Sequence, residues 1–510
     1  MTRTRRFIHG VGLGYINQAL LMLAGLWLTP FLLQRLGTGQ YGLWIVAAQF
    51  LLYLGLLDLG IVAIVPRAVA GVAGRDGAIA ELLASTLRIV AAQTLLAAVA
   101  AAMLLRLLPP RWEPLRSLLT TLLTFYVVLF PLRLPQAVLA GLQDSRFVGL
   151  VQLAAWTAGT VASVLLVIRG HGIASLAAGW ILTQSCMSVC SIVRLKVRFP
   201  ETIPRRHSVF DLRVGRKLVA QGGWVSVGQV SQMLLAGTDV LLIGKLLGPE
   251  AVVSYALTGK LIAVLANQPQ MLMQVAVPGL SQMRSSSAPA AIVRVSSALT
   301  QGMLLITGLV VCIVLATNRA FVWAWVGKEH FGGFLLTFLM LIALLLRHLN
   351  VGAIYTIFAF GRERRIAIVN LLDGVVSMAV AAVLIPVVGI VGATVGLIAG
   401  VTLVSLPANY SALLSVTGSN VRAFLRPLMA WVFRLVPLAA ACVLLQRWFV
   451  PQSVTGVALL AIIVTISYAL VMRTVLLHGP LSHYVPERIG RLAALDFGGP
   501  RPDSAERPII

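Results

Sequence analysis

The sequence predicts an all-α polytopic membrane protein of about 14 transmembrane helices, built as two six-helix bundles in a parallel repeat plus two C-terminal helices. Three observations predict it. Of 510 residues, 59% are hydrophobic and 11% charged, against roughly 45–50% and 25% in soluble proteins. Segments such as 148–168 and 454–471 are apolar on every face over about the 20 residues that a helix needs to cross a hydrocarbon layer about 30 Å thick. Membrane β-strands, about 10 residues long and alternating in polarity, do not fit. The second half of the chain also repeats landmarks of the first.

Taken in order, charges, Gly and Pro delimit spans at 11–33, 41–65, 82–105, 117–141, 148–168, 173–193, 218–247, 251–281, 294–316, 334–359, 366–385, 390–413, 429–448 and 454–476. Arg3, Arg5 and Arg6 precede the first. That span is too long for a signal peptide, lacks an A-x-A cleavage site and leads to no hydrophilic domain, so it is read as retained. Placing the N-terminus inside, and counting Lys245, Arg294, Arg447 and Arg473 at span ends with the adjoining segments, puts 26 Lys/Arg in cytoplasmic segments and 9 in external ones, with Arg88, Arg133, Lys260, Arg347 and Arg434 inside spans. The positive-inside bias therefore predicts both termini in the cytoplasm of a multi-pass protein of the bacterial inner membrane. A net charge of +24 could suggest nucleic acid, but the cations come in ones to threes between spans, and nucleic acid is excluded as a partner.

The repeat is read from three landmarks. Leu36-Gly37 before Tyr41-Gly42-Leu43-Trp44 matches Leu247-Gly248 before Tyr255-Ala256-Leu257, a shift of 211. Gly172 to Gly179 matches Gly389 to Gly396, a shift of 217, and Gln143 to Arg146 parallels Arg362 to Arg365, a shift of 219. An even number of spans per unit makes the two copies parallel. The expected organisation is an N-terminal bundle at 1–193, a basic cytoplasmic linker at 194–217 with eight cations and two acids, a second bundle at 218–413, two further helices within 414–476 and a cytoplasmic tail at 477–510.

Gly14-Tyr15-Ile16-Asn17-Gln18, Leu36-Gly37 with Tyr41-Gly42-Leu43-Trp44, and Leu57-Asp58-Leu59-Gly60-Ile61 resemble the opening of the polysaccharide-biosynthesis flippases. These are the O-antigen type transporters of the multidrug/oligosaccharidyl-lipid/polysaccharide (MOP) exporter superfamily. The resemblance is clearest over 10–75, and the repeat extends it over nearly the whole chain. It implies a flippase that moves undecaprenyl-pyrophosphate-linked oligosaccharide across the membrane by alternating access, with membrane lipid and polysaccharide polymerases as partners. Lipid II flippases share the 14-span plan, and drug and sodium antiporters share a 12-span core, so both readings stay open.

Ionisable groups inside a span cost about 2.5–3.5 kcal/mol each on insertion scales and call for an explanation. Arg133 lies in Pro131-Leu132-Arg133-Leu134-Pro135, whose prolines leave carbonyls unbonded and open the helix. Arg347 lies roughly 18 Å from the inner end of its span, too deep to snorkel. Arg88, Arg133, Lys260 and Arg347 are expected to line a water-filled cavity and attract a pyrophosphate, to which a forked guanidinium binds in bidentate fashion. The alternative pairs them with Asp58, Asp239 and Asp373, which could instead bind a coupling cation. Arg434 is near enough to a membrane face to snorkel. Asn17, Gln18, Gln229, Gln232, Asn267, Gln270 and Gln274 are candidate sugar contacts or interhelical hydrogen bonds.

No enzyme, cofactor or metal site is expected. The seven histidines are read as scattered among loops and span ends, and the four cysteines lie in apolar segments without histidine partners. A polymerase or ligase on the same lipid is the alternative of a different class. Such proteins carry a large periplasmic loop, whereas the longest external loop here is Thr317 to Gly333.

Overall fold

The structure is a computed structural model that describes residues 3–72, 78–203, 212–267, 269–270, 273, 289–418 and 420–478. Every regular element among them is helical. Ten helices are long and apolar enough to cross a membrane, or thirteen if three bent pairs each count as one span. The first helix, α1 (Arg3–Leu54), is itself two helices, because Gly37 leaves helical geometry at φ 77° and ψ 164°. A side chain is strained at that φ, which is why the turn between the first two spans falls on a glycine. With this break counted, the predicted segments have helical counterparts among the described residues, and residues 274–281 of the predicted eighth span lie outside them.

Contacts divide the chain into two compact units, Met1–Val253 and Ser254–Ile510. The first holds α1, α2 (Ile61–Val72), α3 (Ala78–Arg106), α4 (Arg116–Leu129), α5 (Leu134–Gly141), α6 (Ser145–Ile168), α7 (Ala174–Arg198), α8 (Leu212–Ala236) and α9 (Thr238–Leu246). The span around Arg133 is broken, with its two parts bent by 54°, and α8 and α9 are bent by 45°. Helices α8 and α9 pack on α1, α2 and α3, within the first unit. The division into bundles at 1–193 and 218–413 remains our proposal for how the chain repeats, separate from this division by packing.

Helix α10 (Pro249–Thr258) crosses the unit boundary and is bent by 46° from α11 (Lys260–Asn267). The second unit continues with α12 (Pro289–Val326), α13 (Phe334–Ala359), α14 (Glu363–Val388), α15 (Val391–Gly400), a π-turn at Val401–Ser405, α16 (Leu406–Thr417), α17 (Val421–Trp448) and α18 (Val454–His478). Its most buried span is α12. The two C-terminal helices dock on it through a relay in which Trp431 Nε1 donates to Tyr468 Oη at 3.2 Å and Tyr468 Oη donates to the Leu305 carbonyl at 2.7 Å.

The repeat has a packing counterpart inside each unit. Helices α6 and α7 approach so closely that a Cβ on Gly179 would strike the Gly159 carbonyl. In the second unit, a Cβ on Gly396 would strike the Ser377 carbonyl between α14 and α15. Gly179 and Gly396 are related by the same shift of 217 that the sequence landmarks give. Without water, helices gain association energy from close backbone approach, so small residues recur where two spans must pack as a hairpin.

Residues 204–211 of the basic linker and the tail beyond His478 lie outside the described residues. Eight cations are costly to translocate, so reporter fusions within 204–211 are expected to read as cytoplasmic. A periplasmic readout there would contradict the two-bundle topology.

Candidate functional site

In the first unit, Pro131–Arg133 form one 3-10 turn between α4 and α5. The turn holds the half-buried Arg133 guanidinium 5.9 Å from the Phe130 ring centroid. Arg133 Nη1 and the Tyr126 hydroxyl are both buried without a well-formed hydrogen bond among the described residues, and the two side chains lie close enough to interact. Asp58 lies within electrostatic reach of Arg133 without a direct ion pair. Its carboxylate accepts from the Gly60 amide at 2.7 Å, and its carbonyl accepts from Gln93 Nε2 at 2.7 Å. Asp58 is thus held by a backbone donor, and Arg133 keeps unused donors.

In the second unit, Arg347 sits in the middle of α13. Its Nη2 lies 3.5 Å from Asp373 Oδ1 and 3.4 Å from the Leu397 carbonyl. Asp373 is fully buried and accepts from Ser377 Oγ at 3.0 Å and Ser405 Oγ at 2.5 Å. The π-turn at Val401–Ser405 carries Ser405, an irregularity that recurs at functional sites. Against it, a Cβ on Gly400 would strike both Asp373 and Ser377. The pair is asymmetric, with side-chain exposures of 23% for Arg347 and 1% for Asp373. Arg347 Nε is buried without a partner. A buried unsatisfied donor costs about 1–3 kcal/mol, and more on a charged group, unless water or a ligand fills it.

Arg133 and Arg347 lie in the fourth span of their respective repeats, each near an acid of its own unit. The acids come from different positions, Asp58 from the second span and Asp373 from the eleventh. The other predicted residues are dispersed. Lys260 is half-buried just after the bend at Gly259 and has no hydrogen bond or ion pair among the described residues. Arg88 lies exposed on α3, and Arg434 donates to the Ala430 carbonyl of its own helix at 2.9 Å. Asp239 Oδ1 accepts from the Val240 amide at 2.9 Å in the first turn of α9. Gln229 Oε1 is buried without a partner, whereas Gln232 and Asn267 are exposed. Gln274 lies outside the described residues, as do the side chains of Asn17 and Gln18.

One sequence reading requires correction. His348 does not lie in a loop or at a span end; it is in the middle of α13, is 1% exposed, and has its Nδ1 2.7 Å from Thr307 Oγ1 and its Nε2 3.5 Å from Gln270 Nε2. Its position beside Arg347 in an apolar run was the available signal. Nearby, Asn409 Nδ2 donates to Asn350 Oδ1 at 2.9 Å, extending the polar stripe along α13.

No group of three or more metal-ligating side chains occurs among the described residues. Cys186 and Cys190, with sulfurs 4.0 Å apart, stand one turn apart on α7. Replacing both with Ala is expected to leave transport and expression within about twofold of the parent, a surface-like effect. An inserted but transport-dead double variant would overturn that expectation.

Residues 117–300 match the family model described as polysaccharide biosynthesis protein. No curated protein matches the chain in sequence. The fold is similar to that of the lipid II flippase MurJ in an inward closed conformation, with TM-score 0.65 and 11% identity over 91% of this chain and 99% of that one. It is also similar to a multidrug resistance MATE family transporter of the MOP superfamily in an inward-facing conformation, with TM-score 0.56 and 13% identity over 79% and 95%. The family match covers residues 117–300, and the likeness to the two solved structures shows a shared fold.

Proposed function

We propose that the chain is a flippase that carries a polyprenyl-pyrophosphate-linked oligosaccharide across the cytoplasmic membrane by alternating access. The observation that carries this reading is the unused donor capacity of the two embedded arginines, Arg133 Nη1 and Arg347 Nε. A pyrophosphate crossing hydrocarbon must replace its hydration, and charge-assisted hydrogen bonds from a planar guanidinium supply that replacement with defined geometry. Lys260 adds a half-buried cation in the second unit. The amides Gln229 and Gln270 offer both donors and acceptors to a sugar.

The acids support the same reading. An exporter of cationic drugs needs a carboxylate that its cargo can reach, but Asp373 is closed in by two serine hydroxyls and Arg347, and Asp58 is 4% exposed. Asp373 lies against Arg347, whereas Asp58 is held by the Gly60 amide within electrostatic reach of Arg133.

Depletion of the protein in its native host tests the proposal. The lipid-linked sugar is expected to build up on the cytoplasmic leaflet while its synthesis continues. Unchanged leaflet distribution under full depletion would contradict the proposal. Rescue of a lipid II flippase deletion by this chain would shift the cargo to the peptidoglycan precursor.

A further inference from the structure

Arg362, Arg364 and Arg365 open α14, and Arg422 and Arg426 lie on the first two turns of α17. All five are exposed. One buried cluster joins their elements, with Ile366 from α14, Ala412 and Leu413 from α16, and Phe424 from α17. Ile366 follows Arg365 and Phe424 lies between Arg422 and Arg426, so the packing of that cluster gathers the two cationic helix starts at one edge of the second unit. Asn420 fixes the start of α17 by accepting from the Arg422 amide at 2.9 Å.

The side chains at this edge are held but not neutralised. Arg362 Nη1 donates to Ser415 Oγ at 3.2 Å, and Arg365 Nη2 donates to Ser411 Oγ at 3.3 Å and to the Ala408 carbonyl at 3.1 Å. These partners on α16 are uncharged, and a guanidinium has donors to spare beyond them. Arg362, Arg365, Arg422 and Arg426 form no ion pair among the described residues. Arg422 and Arg426 stand one turn apart, where like charges repel. Glu363 is the one acid in the sequence of these segments, 360–366 and 406–428.

The loop that the sequence aligns with the start of α14, Gln143 to Arg146, is built otherwise. There Arg194 Nε donates to Asp144 Oδ2 at 2.8 Å, and its guanidinium lies 4.7 Å from the Phe147 ring centroid. The first unit thus supplies an acid at this place, and the second supplies hydroxyls. The rest of the chain offers no replacement. No segment outside the described residues carries net negative side-chain charge, and 479–510 holds four acids against four arginines. The counter-charge for this edge therefore comes from another molecule.

The same helices say which kind. Next to the arginines, Ile368 and Leu372 on α14 and Met429 and Phe433 on α17 are exposed apolar side chains, Phe433 to 71%. We propose that the edge made by the starts of α14 and α17 and the end of α16 binds an anionic glycerophospholipid, its phosphodiester on the arginines and its acyl chains along α14 and α17. Forked guanidinium groups match phosphate oxygens in bidentate fashion, and basic clusters between spans at headgroup level take acidic lipids. Both loops follow an even-numbered predicted span, the side that the charge bias assigns to the cytoplasm. The site uses none of the residues assigned to the cargo and does not rest on the flippase reading.

Photocrosslinking tests it. Full-length protein in phosphatidylcholine nanodiscs receives a minor fraction of photoactivatable phosphatidylglycerol or, in a parallel sample, phosphatidylcholine with the same label, and the labelled peptides are mapped by mass spectrometry. Phosphatidylglycerol is expected to concentrate on the starts of α14 and α17, and to do so less as salt rises, because the charges are exposed. Arg362→Gln and Arg422→Gln should each lower that labelling by about fivefold, the usual effect of one cation near an anionic headgroup. The corresponding Lys variants, which keep the charge, should retain most of it. All four variants should insert and melt like the parent, since the replaced side chains are exposed. Equal labelling by phosphatidylcholine, or phosphatidylglycerol labelling spread evenly over the ends of all spans, would overturn the site. So would displacement of phosphatidylglycerol from these peptides by an equal amount of polyprenyl pyrophosphate, which would assign the edge to the cargo. A protein that fails to flip lipid-linked sugar yet keeps the phosphatidylglycerol labelling contradicts the flippase reading alone.

Discussion

Arg347→Ala is expected to reduce transport of lipid-linked sugar by about 10- to 100-fold with the protein still inserted, the loss of one or two charge-assisted hydrogen bonds at about 1.5–3 kcal/mol each. The structure also demands a control. Removing Arg347 leaves Asp373 fully buried with Ser377 and Ser405 as its side-chain partners among the described residues, and breaking a buried pair on one side costs about 3–5 kcal/mol. Stability and transport would then fall together. The double variant Arg347→Ala, Asp373→Asn removes the stranded charge, so it should recover thermal stability without recovering transport. Arg347→Lys keeps a cation beside Asp373 but loses the fork, and should be stable with partial activity. Wild-type transport in the Ala/Asn double variant would make Arg347 a structural partner of Asp373 and nothing more.

Arg133→Ala is the second large effect, and its signature differs. Arg133 has no direct ion pair, and Asp58 keeps the Gly60 amide at 2.7 Å. The stability cost should therefore be smaller than for Arg347, about 1 kcal/mol, while transport again falls about tenfold or more. Arg434→Ala, which removes a half-buried side chain bonded to a carbonyl of its own helix, should stay within about twofold. Comparing the three variants by melting temperature and flipping rate in the same bilayer separates them. If the Arg133 and Arg434 variants matched in rate, the assignment of Arg133 would fail.

Much of the architecture was legible in sequence because the membrane imposes it. A chain that must satisfy its backbone inside hydrocarbon has few options, so apolar length alone located helices such as α6 and α18. Gly37 and the Pro131/Pro135 pair marked real breaks, since φ above zero and a missing amide are local chemistry. The Gly179 and Gly396 landmarks proved to be close-packing positions, which explains their shared spacing. The packing partition was less legible: α8 and α9 belong by contact to the first unit although the repeat opens the second, because chain order does not specify which neighbours a helix chooses. Within the site, the depth of Arg347 was readable from helical rise, but its pairing with Asp373 was not. That pair depends on a π-turn at Val401–Ser405 and on the missing Cβ of Gly400, and no periodicity reports either. The depth of His348 is legible from its place beside Arg347 in an apolar run, but its partner Thr307, 41 residues away on another helix, is not.

The most direct measurement is the leaflet distribution of the lipid-linked sugar in cells that carry only the Arg133→Ala, Arg347→Ala double variant, stably expressed and inserted. The account predicts that the sugar accumulates on the cytoplasmic leaflet and that surface polysaccharide falls to the level of the deletion. Normal surface polysaccharide with no cytoplasmic accumulation would contradict it and leave both arginines as structural residues.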